Sequence, residues 1–240
     1  MSAFDDGKPI RGGIPICFPW FGSHVSDPQK PLHGFARISN WDVTRTGILK
    51  NGDVQLQLTL KDSPQTRKLW PYSFQNDLTI TVGNSLSISL SCQNTGKAVF
   101  TYADALHTYF SVSDIDNVRL HGFKGYKYYD GLENGAIKTQ TEEMFVIKKE
   151  ESRRYFEFAE DCIIEDLGFS RKINVKKYGS RVTLIWNPWS ETAKKIPDMP
   201  DDGYKKMLCV ESVNSNDNVI TLKPGEKHTL TTTINVERLS

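Results

Sequence analysis

The chain has 240 residues, which is enough for one large all-β domain or two small ones and for a sizeable core. Its 30 basic and 29 acidic residues leave a formal net charge of +1, which excludes any general attraction to nucleic acid or to a membrane surface. The sequence has neither an apolar signal core at its start nor 18 uninterrupted apolar residues, so we expect a soluble, cytoplasmic protein.

The first informative segment combines glycines and prolines with three polar side chains. It reads GKPIRGGIPICFPWFG at 7–22 and LHGFAR at 32–37. Glycine and proline fix turning and extended backbone, so Arg11, His33 and Arg37 can be held toward one ligand. Gly12 and Gly13 let that ligand approach the backbone closely. This arrangement suits a small anion. The same sequence is also compatible with two surface arginines that form ordinary ion pairs.

Period-two alternation of apolar and polar residues then predicts a series of half-buried strands. The clearest segments are 53–60, 77–82, 85–92, 181–186 and 228–236. Gly83 and Asn84 between two of them predict a tight hairpin turn, and helical periodicity is scarce. Many short antiparallel strands favour a sandwich or a barrel. Residues 188–206 have loop composition, which fits a flexible flap beside a site or a solvated connection.

Two titratable residues lie in apolar, strand-like runs. His107 lies within YADALHTYF at 102–110, where a packed core histidine is the more common outcome. Glu211 follows the apolar run at 207–210, where partial desolvation would raise its pKa above the usual value of about 4.3 and make it a better base. The four cysteines form no Cys-x-x-Cys pair, which favours free thiols and argues against a metal site.

Five further motifs occur across nearly the whole chain, in the same order as in one protein family. They are KLWP at 68–71, ALHTYF at 105–110, GYKYYD at 125–130, IWNPW at 185–189 and MLCVES at 207–212. Together with the first segment, they resemble the hexose-6-phosphate mutarotases, or glucose-6-phosphate 1-epimerases, of the aldose 1-epimerase family. The resemblance implies an all-β fold, an antiparallel β-sandwich of the galactose mutarotase-like supersandwich type. Residues 1–240 would form a single domain, and family comparison suggests a monomer.

The resemblance also implies roles for individual side chains. Glu211 would be the general base and His107 the general acid in opening the sugar ring. His33 would orient sugar hydroxyls or the ring oxygen, and Arg11 and Arg37 would bind the 6-phosphate of a hexose 6-phosphate. This proton chemistry needs no metal and no redox cofactor.

Three features depart from the family pattern, and one further candidate residue is less specific. Leu32 stands where the family often has glutamine, and Ser152 stands where it tends to have a sugar-binding aspartate; Glu151 is the alternative at that place. Trp186 has an aromatic face suited to the apolar side of a pyranose, although core tryptophans are more common. Family members also carry a few dozen residues before the Arg-Gly-Gly-Ile-Pro block, so we expect this chain to be short of the first strands, with an open sheet edge.

These departures keep a second class of function open, a catalytically silent module that binds carbohydrate phosphates. Glycoside hydrolysis ranks last, because it usually needs two carboxylates that flank the scissile bond, and only one well-placed acid stands out.

Overall fold

The computed structural model describes residues 8–239, which form nineteen strands, two short α-helices and four 3₁₀ turns. The strands are β1 Ile16–Cys17, β2 Asp42–Ile48, β3 Val54–Lys61, β4 Phe74–Val82, β5 Leu86–Asn94, β6 Phe100–Tyr102, β7 Asp104–Leu106, β8 Tyr109–Ser111, β9 Val118–His121, β10 Lys127–Asp130, β11 Ala136–Thr139, β12 Met144–Phe145, β13 Glu151–Tyr155, β14 Cys162–Asp166, β15 Arg171–Tyr178, β16 Thr183–Asn187, β17 Met207–Asn214, β18 Ile220–Leu222 and β19 Lys227–Arg238. The helices are α1 Pro64–Leu69 and α2 Trp189–Ala193, and the 3₁₀ turns are Ala36–Ile38, Ile115–Asn117, Gly203–Lys206 and Asn216–Asn218.

Two large sheets contain nearly all the strands. The eight-stranded sheet has the order β1-β7-β17-β16-β13-β10-β11, with β8 also paired to β17. The nine-stranded sheet has the order β12-β9-β14-β15-β19-β5-β4-β3-β2, and β18 pairs with β6 in a small ribbon. Every one of these strand pairs is antiparallel. The predicted antiparallel β-sandwich is therefore confirmed.

The core lies between the two sheets. In one cluster, Leu106 of the smaller sheet and Phe18, which follows β1, pack against Phe74, Leu90 and Leu230 of the larger sheet. The second cluster is formed, among others, by Ile185, Leu208 and Val210 facing Ile164, Ile173 and Val175. All eight residues of β17 are buried. Because a strand that is covered on one face only would alternate, the second face of β17 must also be covered, and that covering forms the site described below.

The five strands predicted from alternation all form, as β3, β4, β5, β16 and β19, with ends that differ by a few residues. The Gly83-Asn84 hairpin is confirmed too, since Val82 pairs with Leu86 across it. Two short helices were missed. Helix α1 begins after Ser63, whose side chain accepts from Thr66 N and so caps the helix ahead of Pro64. That local signal is readable in sequence, but six residues are too few for a periodic pattern.

Strand β2 forms one edge of the nine-stranded sheet and is exposed along all seven of its residues. Val43 and Ile48 pair with Leu58 and Val54 of β3, so these apolar side chains share one face. Among residues 8–239, β2 is therefore an exposed sheet edge, and the expectation that the chain is short of its first strands stays a prediction. Between residues 8 and 239, no helix is both long and apolar enough to cross a membrane.

Candidate active site

The predicted site residues gather on the face of the eight-stranded sheet that points away from the core. Tyr109 lies opposite Cys209, Cys209 opposite Trp186, and Trp186 opposite Ser152, so these four side chains share this face, called here the site face. Leu208 and Val210 of the same strand point into the core. Alternation along β17 therefore places Glu211, two residues after Cys209, on the site face as well.

His107 and Glu211 form a buried pair at the centre of the site face. His107 Nδ1 lies 3.4 Å from Glu211 Oε1, and their side chains are 8% and 1% exposed. Burial raises the pKa of Glu211 well above its usual value and, together with the charges of Arg37 and Arg11, lowers the pKa of His107 to about 3. Burial therefore favours the uncharged form of both side chains, so a proton shared by the pair is held more tightly by Glu211 than by His107.

The pair has unused hydrogen-bonding capacity. Among the described residues, Glu211 Oε2 and His107 Nδ1 make no hydrogen bond that meets normal geometry. A buried polar atom without a partner is costly, and a sugar hydroxyl is one group that can satisfy it. The pair of His107 and Glu211 can therefore accept a proton at one atom and donate a proton from another atom a few ångströms away.

Aromatic rings hold the imidazole of His107 in place. Tyr109 stacks on it with a centroid separation of 4.9 Å and an interplanar angle of 6°. Trp186 meets both rings edge-on, at 6.4 Å from His107 and 6.3 Å from Tyr109. Trp186 thus lies in the site, whereas Trp189 packs against Tyr204 beside the core. Of these two tryptophans, Trp186 is the candidate that the sequence analysis named.

The segment before β2 crosses the site face and brings His33 to the pair. His33 has a φ of 62° and is followed by Gly34 at 77°, so the backbone turns sharply there. Its Nδ1 accepts from Gly22 N at 3.1 Å, which makes Nε2 the protonated nitrogen of the neutral ring. The ring centroid lies 5.4 Å from that of His107 and 4.7 Å from that of Phe21. Burial, with Arg37 and then Arg11, lowers the pKa of His33 to about 4.

Both predicted arginines lie beside the histidines. The backbone of Tyr109 donates to Gly13 O at 2.9 Å, which aligns the first segment with β8 and places Arg11 next to it. Arg11 Nη1 donates to Tyr109 Oη at 3.3 Å and Nε donates to Asp198 Oδ1 at 3.0 Å. Arg37 Nη2 donates to the backbone oxygen of Leu32 at 2.8 Å. Its buried Nε lacks a hydrogen-bond partner within the described residues.

The two departures from the family pattern have different consequences. The side chain of Leu32 is 51% exposed, so it offers no polar contact to the site. Ser152 is on the site face, opposite Trp186. Glu151 points to the other face of the sheet, where Arg153 donates two hydrogen bonds of 2.7 Å to the Glu151 carboxylate. Alternation along β13 therefore prevents Glu151 from taking the place of Ser152.

Residues 188–206 form a wall of the site rather than a remote connection. Asp198, Met199 and Pro200 line a cavity of about 380 Å³ together with Arg11 and Tyr109. The segment contains α2 and a 3₁₀ turn and has no strand, as its composition predicts. The segment therefore lies beside the site, and its flexibility stays a prediction. The contacts of Tyr109 and Asp198 were missed from sequence. Tyr109 could have been found, because it lies two residues after His107 in the same strand-like run at 102–110.

A group of metal-ligand side chains also lies here. Over residues 8–239, the donor atoms of His107, Cys209 and Glu211 lie within 4.8 Å of one another. Burial raises the pKa of Cys209 well above its usual value, which keeps it a thiol and a weak ligand. Arg11 and Arg37 also disfavour a cation nearby. We assign no metal to this group, and the absence of a metal stays a prediction.

Comparison with known proteins agrees with this geometry. The aldose 1-epimerase family model matches residues 1–235. A protein of Cenchrus ciliaris that carries the provisional name glucose-6-phosphate 1-epimerase is 36% identical over 234 residues, which cover 94% of this chain and 70% of that protein. A relative from Salmonella typhimurium with the same provisional name is 34% identical over 212 residues, 88% of this chain and 70% of its own.

The solved structures give the same result. The crystal structure of a provisionally named mutarotase, YeaD from Salmonella typhimurium, has a TM-score of 0.90 and 31% identity, and the match covers 99% of this chain and 78% of that one. The fold and the site therefore define a carbohydrate epimerase. The chain belongs to the aldose 1-epimerase family and interconverts sugar anomers.

Proposed function

We propose that the protein interconverts the α and β anomers of glucose 6-phosphate and related hexose 6-phosphates, with Glu211 as the base and His107 as the acid. The observation that carries the proposal is the buried pair, 3.4 Å apart, beside two arginines. Its provisionally named relatives support the choice of substrate. A guanidinium fork fits phosphate oxygens in a bidentate way, which suits Arg11 and Arg37 to a 6-phosphate.

In the proposed mechanism, the proton of the pair moves to His107 before ring opening. Glu211 then takes the proton of the C1 hydroxyl while His107 protonates the ring oxygen, so that the C1–O5 bond breaks and an aldehyde forms. Rotation about C1–C2 and reversal of both proton transfers closes the ring as the other anomer. One proton is taken and one is given in each direction, so the pair returns to its starting state.

The phosphate would contribute to this step as well as to binding. The charges of Arg37 and Arg11 both lower the pKa of His107. A bound dianion compensates those charges, and therefore raises the pKa of His107 toward the range in which it can act as an acid. We thus expect the ester to be turned over faster than free glucose, and not only to bind more tightly.

Two-dimensional exchange NMR on glucose 6-phosphate tests the proposal, with free glucose as the second substrate. Glu211→Gln should slow anomer exchange at least about 100-fold, because a general base of this kind contributes roughly 10²–10⁴. Arg37→Ala should raise KM for the ester without slowing exchange of free glucose, because loss of this charge raises the pKa of His107. Unaltered exchange by Glu211→Gln would refute the mechanism.

The chain offers a matched control for the pair. His121 Nε2 lies 3.3 Å from Glu165 Oε2, a similar separation, but at side-chain exposures of 31% and 18% and on the other sheet. Glu165→Gln should therefore leave exchange intact. A folded protein that binds the ester without accelerating exchange would instead support the silent binding module, which Leu32 and Ser152 keep open.

A further inference from the structure

Arg11 is already engaged by a carboxylate that belongs to the wall of the cavity. Its Nε donates to Asp198 Oδ1 at 3.0 Å, across 187 positions of sequence. The same guanidinium reaches Tyr109, whose ring stacks on His107. Three contacts therefore connect Asp198 to His107, through Arg11 and Tyr109, and Asp198 lies directly beside the predicted phosphate site.

The fold holds Asp198 at this place. It lies in a turn in which Met199 N donates to Ile196 O at 3.1 Å. The segment is fastened on either side of this turn, by Thr192 Oγ1 donating to Glu150 at 2.7 Å and by Asn187 Nδ2 donating to Tyr204 O at 2.8 Å. The carboxylate thus stays beside Arg11 without depending on the ion pair alone.

We propose that Asp198 weakens anion binding by competing with the substrate phosphate for Arg11. This inference rests on the proposed function, since it concerns the same anion site. An incoming anion must share Arg11 with this carboxylate, which repels a doubly charged phosphate ester more strongly than a singly charged anion. Asp198 therefore limits the affinity of the site for dianions.

An alternative effect of Asp198 would be to orient Arg11 and so strengthen phosphate binding. The exposures of the two side chains, 29% and 28%, decide between these effects. An ion pair that is this accessible contributes little to holding its partners. A negative charge next to a bound dianion, by contrast, is repelled directly at short range. Competition therefore outweighs orientation.

The test compares Asp198→Asn with the parent in a titration of inorganic phosphate followed by NMR. Removing the charge while keeping the shape should tighten phosphate binding about fivefold, the upper end for an accessible ion pair. The selectivity for phosphate over acetate should rise as well, because the lost negative charge repels a dianion more strongly than a monoanion. Asp201→Asn, an exposed carboxylate on the same segment, should change neither value.

The other possible results separate the inference about Asp198 from the proposed function. Phosphate binding to Asp198→Asn that is equal to or weaker than the parent's would overturn the inference, and Asp198→Ser serves as a second variant if the first is poorly folded. If the parent accelerates no anomer exchange, the proposed function fails. Tighter phosphate binding by Asp198→Asn would still support the competition, because that readout does not require turnover.

Discussion

Asp104 is a buried acid outside the candidate site, and it predicts how stability depends on pH. It is 0% exposed, and Asn214 Nδ2 donates to its Oδ1 at 2.8 Å. Its Oδ2 has no hydrogen-bond partner in the described part of the chain. Burial raises the pKa of Asp104 from 3.8 to about 7, against the smaller opposing effect of the Asn214 hydrogen bond. We consider the substitution Asp104→Asn, whose carbonyl oxygen can still accept from Asn214.

The magnitude follows from proton linkage. Below pH 3.8 both the folded and the unfolded chain hold the proton, so the contribution of Asp104 to stability is fully present. As pH rises toward about 7, the unfolded chain releases the proton while the folded chain keeps it, and stability is lost. Each pH unit in this window costs about 1.4 kcal/mol, which gives a loss of about 4 kcal/mol by pH 7.

Urea unfolding of the parent and Asp104→Asn from about pH 4.5 to about pH 8 measures this difference. The variant should gain about 3 kcal/mol relative to the parent between about pH 4.5 and about pH 8, because roughly 1 kcal/mol of the loss falls below pH 4.5 and the other titrating groups cancel in the comparison. Asp166→Asn is the control: Asp166 is also fully buried but accepts from Ser113 N and Phe169 N, and asparagine has one acceptor oxygen fewer, so this substitution should destabilise the chain. A constant difference between Asp104→Asn and the parent would refute the reasoning.

Two further substitutions test how the site is positioned. Gly34→Ala should unfold the site or destabilise the chain by about 3 kcal/mol or more, because its Cβ would lie 2.0 Å from Phe18 O at a φ of 77°. Thermal unfolding measures this loss of stability. Gly125→Ala is the control and should cost much less, because no atom lies within 4 Å of the added Cβ. Tyr109→Phe should raise KM for glucose 6-phosphate about fivefold and leave kcat nearly unchanged, because it removes one hydrogen bond to Arg11 and keeps the ring that stacks on His107. A fall in kcat with unchanged KM would contradict that assignment.

Much of the fold could be predicted because it depends on local pattern. Strands β3, β4, β5, β16 and β19 follow from period-two alternation, which reflects one buried face. Strand β17 is different, since all eight of its residues are buried and only its apolar start at 207–210 was strand-like in sequence. Helix α1 depends on a cap and six residues, which is too short to produce a periodic signal.

The sequence by itself determined the family, the antiparallel β-sandwich and the identity of the candidate residues, because composition, alternation and motif order are properties of the chain read in one dimension. Only the tertiary structure decided which of these residues meet. His107 and Glu211 are 104 positions apart, and their contact depends on the register between β7, β8 and β17.

The same is true of the residues that sequence reasoning left open or missed. Glu151 and Ser152 are adjacent in the chain, and strand alternation sends them to opposite faces of the sheet. Asp198 gave no signal at all in a segment of loop composition. Its contact with Arg11 exists because two segments 187 positions apart close on the same cavity, and long-range proximity of that kind is set by packing rather than by local preference.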